Sequence, residues 1–367
     1  YRVNEHFLKA AAEAGYPLTD DFNGPQHEGV GFYQFTIKKG KRCSAAHAYL
    51  YPVMGRQNLE VRCGTQVSRI LFEGNRAIGV ECRANGQTQQ VYANKEVIVS
   101  SGAYNSPKLL MLSGIGERKL LDDIGIDTFY DLPGVGQNLQ EHVDSCVLQE
   151  SLKSDGFTTS VPGLLKNAAE PFRYLFGKKG KLESSITQAG AFLRTSKDLD
   201  VPDVQLHFIP LLYDDSGRDL KLMSRNGYSC HVCVLRPKST GRMTLRSPDP
   251  DDPPRIDLNF FEHPDDRKTL VDGIRLARKI LAAPSFDEYR GAEISPGPDA
   301  QSDEEILARA KARLGLVYHP VGTCKMGNDE LAVVDDELRV RGLERLRVVD
   351  ASIMPTLIGG NTNAPVM

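Results

Sequence analysis

The sequence predicts a chain of two parts, one α/β around a parallel sheet and one α+β around antiparallel sheet. Three observations predict this. A continuous apolar strand, "KEVIVSSGA", ends in small residues and leads into "YNSPKLLMLSGIG", the strand–turn–helix half of a βαβ crossover. Between about residues 146 and 320 the texture changes to several short strand-like runs separated by polar connectors, with helices after them. The length of 367 residues gives roughly two to three domains.

Composition narrows the classes. Hydrophobic residues make up 40% and charged residues 25%, which excludes fibres and disorder. Lys plus Arg is 45 against 48 Asp plus Glu, a net of −3, so there is no basic excess for a nucleic-acid backbone. No run approaches the ~18 apolar residues of a membrane helix. The seven cysteines are odd in number and scattered, which suits a reducing compartment. Cys230 and Cys233 form a CxxC, but it sits in the strand-like "GYSCHVCVLRP", where an odd offset sends the two sulfurs to opposite faces. No second pair follows at zinc spacing, and ordinary strand residues with no metal are expected.

In chain order, residues 4–14 read as a helix ended by Gly15 and Pro17. "CSAAHAYL" can open another helix. "LEVRCGTQVSRILF" reads as a strand, and "AIGVECRANGQTQQVYAN" as two strands around the Asn85-Gly86 turn. The unbroken apolar run at 97–99 predicts a strand buried on both faces. In the helix after it, Ser106 is read as the cap and Pro107 as the first turn, with Gly114 and Gly116 at its end. "ITQAGAFLRT", "PDVQLHFIPLL" and "YSCHVCVLRP" read as strands, with connectors at 177–181 and 213–226. Leu270, Ile274, Ala277 and Leu281 recur at helical spacing over 265–282, and Ser302-x-x-Glu305 is a capping box for a helix through about 313.

Three segments can carry chemistry. The turn in "SGAYNSPKLLMLSGIG" lets backbone approach a ligand phosphate or ribose, and equally serves plain helix–sheet packing. In "GLVYHPVGTCKMG", Pro320 holds His319 in extended geometry between glycines, either as a structural residue or as a proton acceptor. In "RLRVVDASIMPTLIGGNTNAPVM" an apolar strand ends at Asp350 and leads to a Gly-Gly-Asn-x-Asn loop, a plain turn unless a partner group lies nearby.

Taken together and in this order, the three segments resemble the glucose–methanol–choline (GMC) oxidoreductases. "GAYNSPKLLMLSGIG" resembles that family's second signature, "YHPVGTCKMG" its active-site histidine segment, and "LRVVDASIMP" with "NTNAP" its C-terminal flavin-binding segment. "RPKSTGRMTLRSPDPDDPPRID", "LPGVGQNLQEH" and the segment from "DDFNGPQHEGVGFYQ" to "KGKRCSAAHAYL" also match, so the resemblance covers nearly the whole chain. Its flavour is that of bacterial choline-dehydrogenase-like and acceptor-linked alcohol dehydrogenases. The family's opening strand, GxGxxG turn and helix, its GGSS-type segment and its terminal helix have no counterpart here. The sequence is therefore expected to be an internal piece of such an enzyme, inactive by itself, and without its first βαβ unit it is expected not to retain cofactor alone.

The resemblance implies an incomplete Rossmann-like, FAD-binding α/β domain, residues 49–145 and 323–367, and an α+β substrate domain, residues 1–48 and 146–322. It implies FAD as cofactor and His319 as the base that takes the hydroxyl proton of an alcohol. It puts Asn363 at the second active-site position. Val67 would contact the adenine through its backbone, Gly102 and Ala103 would lie along the cofactor, and Asp350 and Ala351 would lie near its pyrophosphate and ribitol. Asn138 reads as structural or as a support for the residues that touch the substrate. Gln188 is a candidate for the substrate pocket. The expected reaction is oxidation of an alcohol, an uncharged primary alcohol for preference, with electrons passed to a quinone or another non-oxygen acceptor. A GMC oxidase using oxygen and a non-catalytic GMC-like binding protein are the alternatives. The expected setting is cytoplasmic or peripheral to a membrane.

Overall fold

The computed structural model describes residues 1–154, 156–177, 180–214, 217 and 219–367. Parts of the connectors expected at 177–181 and 213–226 lie outside the described residues. From the N-terminus come α1 (Arg2–Glu13) and β1 (Gly29–Phe32), then β2 (Thr65–Glu73), β3 (Arg76–Ala84) and β4 (Gln87–Tyr92). Next, β5 (Val97–Val99) runs into α2 (Gly102–Leu112). β6 (Val143–Ser151), α3 (Val161–Lys166), α4 (Glu170–Gly177), β7 (Ala189–Leu193), β8 (Val204–Ile209) and β9 (Gly227–Val234) follow. The chain continues with α5 (Pro264–Leu281), β10 (Arg290–Ser295), α6 (Asp303–Ala312), β11 (Gly315–Leu316), β12 (Leu346–Val348) and the short α7 (Asn363–Val366).

These elements fall into two compact units. The first comprises Tyr1–Gly55, His142–Arg236 and Pro264–Val317. Its seven-stranded sheet has the order β1–β7–β8–β9–β6–β10, with β11 beside β6, and every pairing is antiparallel. α5 presents Leu270, Ile274, Ala277 and Leu281 to this sheet, as their spacing predicts. Gly273 lets it approach closely, because a Cβ there would stand 2.6 Å from Val232 Cγ1. Phe7 of α1 stacks on Phe208 at 4.6 Å between ring centroids. The capping box at Ser302 and Glu305 forms as expected.

The second unit comprises Arg56–Glu141, Pro237–His263 and Tyr318–Met367. The expected partition put 237–263 and 318–322 with the other domain. Here they belong to this unit, where Arg242–Thr244 and Arg255–Asp257 pair as a ribbon across the proline-rich loop. β2–β3–β4 is an antiparallel meander whose last turn holds Asn85 and Gly86 at φ 50° and 76°, the conformation that Asn-Gly favours. β5 and β12 pair in parallel.

Two local expectations are corrected. β5 is not buried on both faces: Val97 and Val99 join the core with Leu109, Leu110 and Met111, while Ile98 is 53% exposed. Alternation sends Ile98 to the opposite face, which the described residues leave open. α2 begins at Gly102 with Ser101 as its cap residue, so Ser106 and Pro107 lie inside the helix. The Ser106 hydroxyl turns back to accept from the Ser101 N–H at 2.9 Å.

Candidate active site

The second unit brings the chemistry-bearing segments together, starting from the proline inside α2. A proline has no N–H to give to the carbonyl four residues earlier. The carbonyl that Pro107 leaves free is Ala103 O, and it accepts from Thr323 Oγ1 at 2.5 Å. Thr323 is fully buried and belongs to the same loop as His319. A helix irregularity thus ties the histidine loop to the start of α2.

Asp350 does the same from the other side. Its Oδ2 accepts from Gly102 N–H at 3.0 Å and from Ser106 Oγ at 2.5 Å, and its Oδ1 accepts from Ser352 N–H at 2.8 Å. A carboxylate is favoured there by the orphan donors and dipole of the helix start. Ala351 O accepts from Gly322 N–H at 3.3 Å, and Ser352 O from Cys324 N–H at 2.8 Å. Gly102, Ala103, Asp350, Ala351 and the 319–324 loop therefore share one network.

The segment Asn138–Glu141 is the scaffold beneath His319. Asn138, at φ 61°, donates from Nδ2 to Gly322 O and Pro355 O. Gln140 is buried, exchanges backbone hydrogen bonds with Val321, and accepts from Leu357 N–H through Oε1 at 3.0 Å. Glu141, also buried, accepts the His319 N–H through Oε1 at 2.6 Å. Burial and the Glu141 charge push the Tyr104 phenol up to about 12. These contacts accord with the expectation that Asn138 is structural or supports the residues of the site. Gln140 and Glu141 had no expected role, and the only sequence signal was a run of polar residues next to an apolar strand.

His319 is 8% exposed, and burial pushes its imidazole down to about 4, so the ring is neutral at ordinary pH. The preceding Tyr318 adopts φ 60°, an uncommon conformation for a bulky residue, and its side chain is exposed. Asn361 Nδ2 lies 3.3 Å from His319 Nε2. An amide N–H donating there requires a ring nitrogen without its proton. Asn361 is the asparagine that lies against the His319 ring. Asn363 opens α7 with an exposed side chain, two residues further on.

Val67 is half-buried in β2, beside a register shift between Val67 and Arg69 that interrupts the ladder with β3. Gln188 lies in the first unit, where its Oε1 accepts from Asn4 Nδ2 at 3.0 Å.

Comparison with known proteins decides the family. GMC oxidoreductase sequences match at residues 1–144 and again at 237–367. The chain belongs to the GMC oxidoreductase family. It is 43% identical over 367 residues to the alcohol dehydrogenase [acceptor] of Pseudomonas putida, covering 100% of this chain and 66% of that protein. It is 44% identical over 370 residues to the mitochondrial choline dehydrogenase of Homo sapiens, covering 98% and 61%. The chain thus spans slightly under two thirds of the length of these relatives. Among solved structures, an Aspergillus oryzae formate oxidase studied for its FAD modification superimposes with a TM-score of 0.89 at 26% identity, covering 99% of this chain and 68% of that one. The GMC assignment accords with the fold class expected from the sequence.

Proposed function

We propose that this GMC chain serves the FAD-dependent oxidation of an alcohol to an aldehyde, with electrons passed to an acceptor other than oxygen. The observation that carries the reading is the buried, neutral His319 with Asn361 at its Nε2. Similarity to acceptor-linked alcohol and choline dehydrogenases supports the reaction class. An uncharged primary alcohol is the proposed substrate.

The residues present fit FAD. Gly102 has φ 83°, and nothing lies within 4 Å of where a Cβ would stand, so a ligand can approach its backbone closely. Ser100, Ser101 and the Ile98 face are open beside it, and the β2 ladder is interrupted at Val67. Val67, Gly102, Ala103 and Ala351 are the proposed cofactor contacts. Asp350 acts by holding the Gly102 turn, since its carboxylate already takes that N–H. Bound FAD supplies the two-electron acceptor for the carbinol hydride.

The chain's own share is proton transfer and position. His319 offers an unprotonated nitrogen, which accepts the hydroxyl proton as the carbonyl bond forms. Asn361 offers a neutral donor that can hold the substrate oxygen as negative charge develops. Glu141, Gln140 and Thr323 keep the loop from drifting, which matters because small misplacements of a catalytic group cost much rate. Gln188 stays a candidate for the substrate pocket, with its Oε1 committed to Asn4. A cytoplasmic setting is proposed with it; among the described residues no helix is long and apolar enough to cross a membrane.

The test is anaerobic mixing of the full-length, flavin-loaded protein with a panel of alcohols, followed by a dye acceptor or oxygen. Bleaching of the flavin by a primary alcohol, with rapid reoxidation by the dye and slow reoxidation by oxygen, is expected. A flavin that no alcohol reduces would sink the reading.

A further inference from the structure

Asn-Gly pairs stand at 23–24, 85–86 and 226–227. Glycine has no side chain to shield its amide nitrogen, which can therefore attack the Cγ of the asparagine before it. The attack needs an unbonded glycine N–H, a free side-chain amide and a peptide unit able to rotate. Asn23, Asn85 and Asn226 are all exposed, so exposure does not separate them. The backbone does. Gly24 N–H donates to Asp21 O at 3.3 Å, and Asn23 Nδ2 donates to Gln34 Oε1. Gly227 is buried in β9 opposite Glu150 of β6, and Asn226 O accepts from Ser151 N–H at 3.0 Å, which fixes that peptide unit. Asn85 and Gly86 form the tip of the β3–β4 hairpin, with nothing within 4 Å of where a Gly86 Cβ would stand. Among the described residues, neither the Asn85 amide nor the Gly86 N–H has a hydrogen-bond partner.

We propose that Asn85 is a modification site, where the side-chain amide is lost through a cyclic imide to leave aspartate or isoaspartate. The Gly86 nitrogen bonds to Asn85 Cγ as its proton passes to a solvent base. The bond from Cγ to the amide nitrogen breaks, and that nitrogen leaves as ammonia. Water then opens the imide. Attack at Cγ gives aspartate, and attack at the main-chain carbonyl gives isoaspartate, with the chain routed through the former side chain. The peptide unit must first leave its turn, and the hairpin permits this. β4 is an edge strand, exposed along its length apart from half-buried Val91, so its end opens at little cost. Either product puts a carboxylate two residues from Arg83, whose Nη2 holds both carboxylate oxygens of Asp251 at 2.6 Å. Isoaspartate also adds a methylene to a two-residue turn, which undoes the pairing of Ala84 with Gln87. The reaction runs one way and does not depend on the oxidation of an alcohol, so the converted fraction records the age of the molecule.

The experiment holds the full-length, flavin-loaded protein at neutral and at mildly alkaline pH, with a second portion unfolded in guanidinium chloride, and then digests both with trypsin. Peptide 84–95, released by cleavage after Arg83 and Lys95, should gain the mass that separates an acid from an amide. Fragmentation should place the gain at residue 85, in two chromatographic forms. The rate should rise with pH and stay within about tenfold of the rate in denaturant, because an exposed hairpin tip opens with a free energy near zero. Residues 23 and 226 should convert in denaturant and lag by more than about tenfold in the native protein. Asn85→Gly should show no conversion at this position, with circular dichroism and melting as in the wild type, because Gly-Gly also makes this turn. A residue 85 that converts in denaturant and stays an amide in the native protein overturns the proposal. So does native conversion at 23 or 226 that keeps pace with 85.

Discussion

Replacing Asn361 by alanine should slow alcohol oxidation far more than replacing Asn363, although the two stand only two residues apart. The Asn361 amide lies 3.3 Å from His319 Nε2, the length of a weak neutral hydrogen bond. Such a bond is worth about 0.5–1.5 kcal/mol net, or roughly two- to tenfold in rate. A donor aimed at a developing oxyanion is worth more, about 10²–10³. Asn361→Ala should therefore cost between about ten- and several-hundredfold. Both residues are exposed, but among the described contacts it is the Asn361 amide that meets the ring, so replacing Asn363 should stay within about 0.5 kcal/mol, or roughly twofold. The assay is flavin bleaching after anaerobic mixing with alcohol, which isolates the step that His319 and Asn361 serve. Asn361→Asp supplies an independent readout. A carboxylate beside the imidazole favours its protonated form, so the acid limb of the pH–rate profile should move upward. The reasoning fails if Asn363→Ala is the more damaging change, or if Asn361→Ala leaves flavin reduction at the wild-type rate.

Three further outcomes are expected. His319→Ala should lower flavin reduction by about 10²–10⁴ while the visible flavin band stays, and loss of the band in place of the rate would refute its role as base. Because burial holds His319 near 4, its acid limb should fall near that pH; a limb at about 6.5 that disappears in His319→Ala would contradict the assigned environment. In the first unit, burial alone would lower the pKa of His231, but the Asp144 carboxylate at 2.6 Å, the Tyr213 carbonyl and Asp214 together raise it. Asp144→Asn should destabilise that unit by about 3–5 kcal/mol, read from denaturant midpoints. Since the native pKa is raised, the pair's contribution is fully present below about pH 6.5 and fades as pH rises through the native value. A gap between wild type and variant that widened in alkali would have the wrong sign.

Much of the fold was legible because its signals are local. The capping box at Ser302, the Asn85-Gly86 turn and the helical stripe of 265–282 each rest on contacts within a few residues, and all three form. The exposure of Ile98 was not legible. A run of three apolar residues reads the same whether one face or both are covered, and only the neighbouring layers decide. The start of α2 was misplaced for a related reason. Ser-Pro is a strong initiation signal, yet the helix starts a turn earlier because Asp350, 248 residues away, supplies an acceptor for the Gly102 N–H.

The site followed the same division. His319 stood out in the sequence because proline and glycines frame it, and the structure buries it on the Asn138–Glu141 scaffold. The choice between Asn361 and Asn363 had no such local mark. Asn-Thr-Asn offers two identical amides, and α7 begins at the second, so the path of one short turn decides which amide meets the ring. Pro107 shows the coupling most directly. Read alone, it marks a helix beginning; in place, it is a missing donor whose orphaned carbonyl, Ala103 O, becomes the anchor for Thr323. Replacing Pro107 by alanine would restore an N–H able to compete for that carbonyl. The helix would gain a hydrogen bond while the histidine loop lost part of its tether. α2 should then become more stable and flavin reduction slower, a pairing of effects that a purely structural proline would not produce.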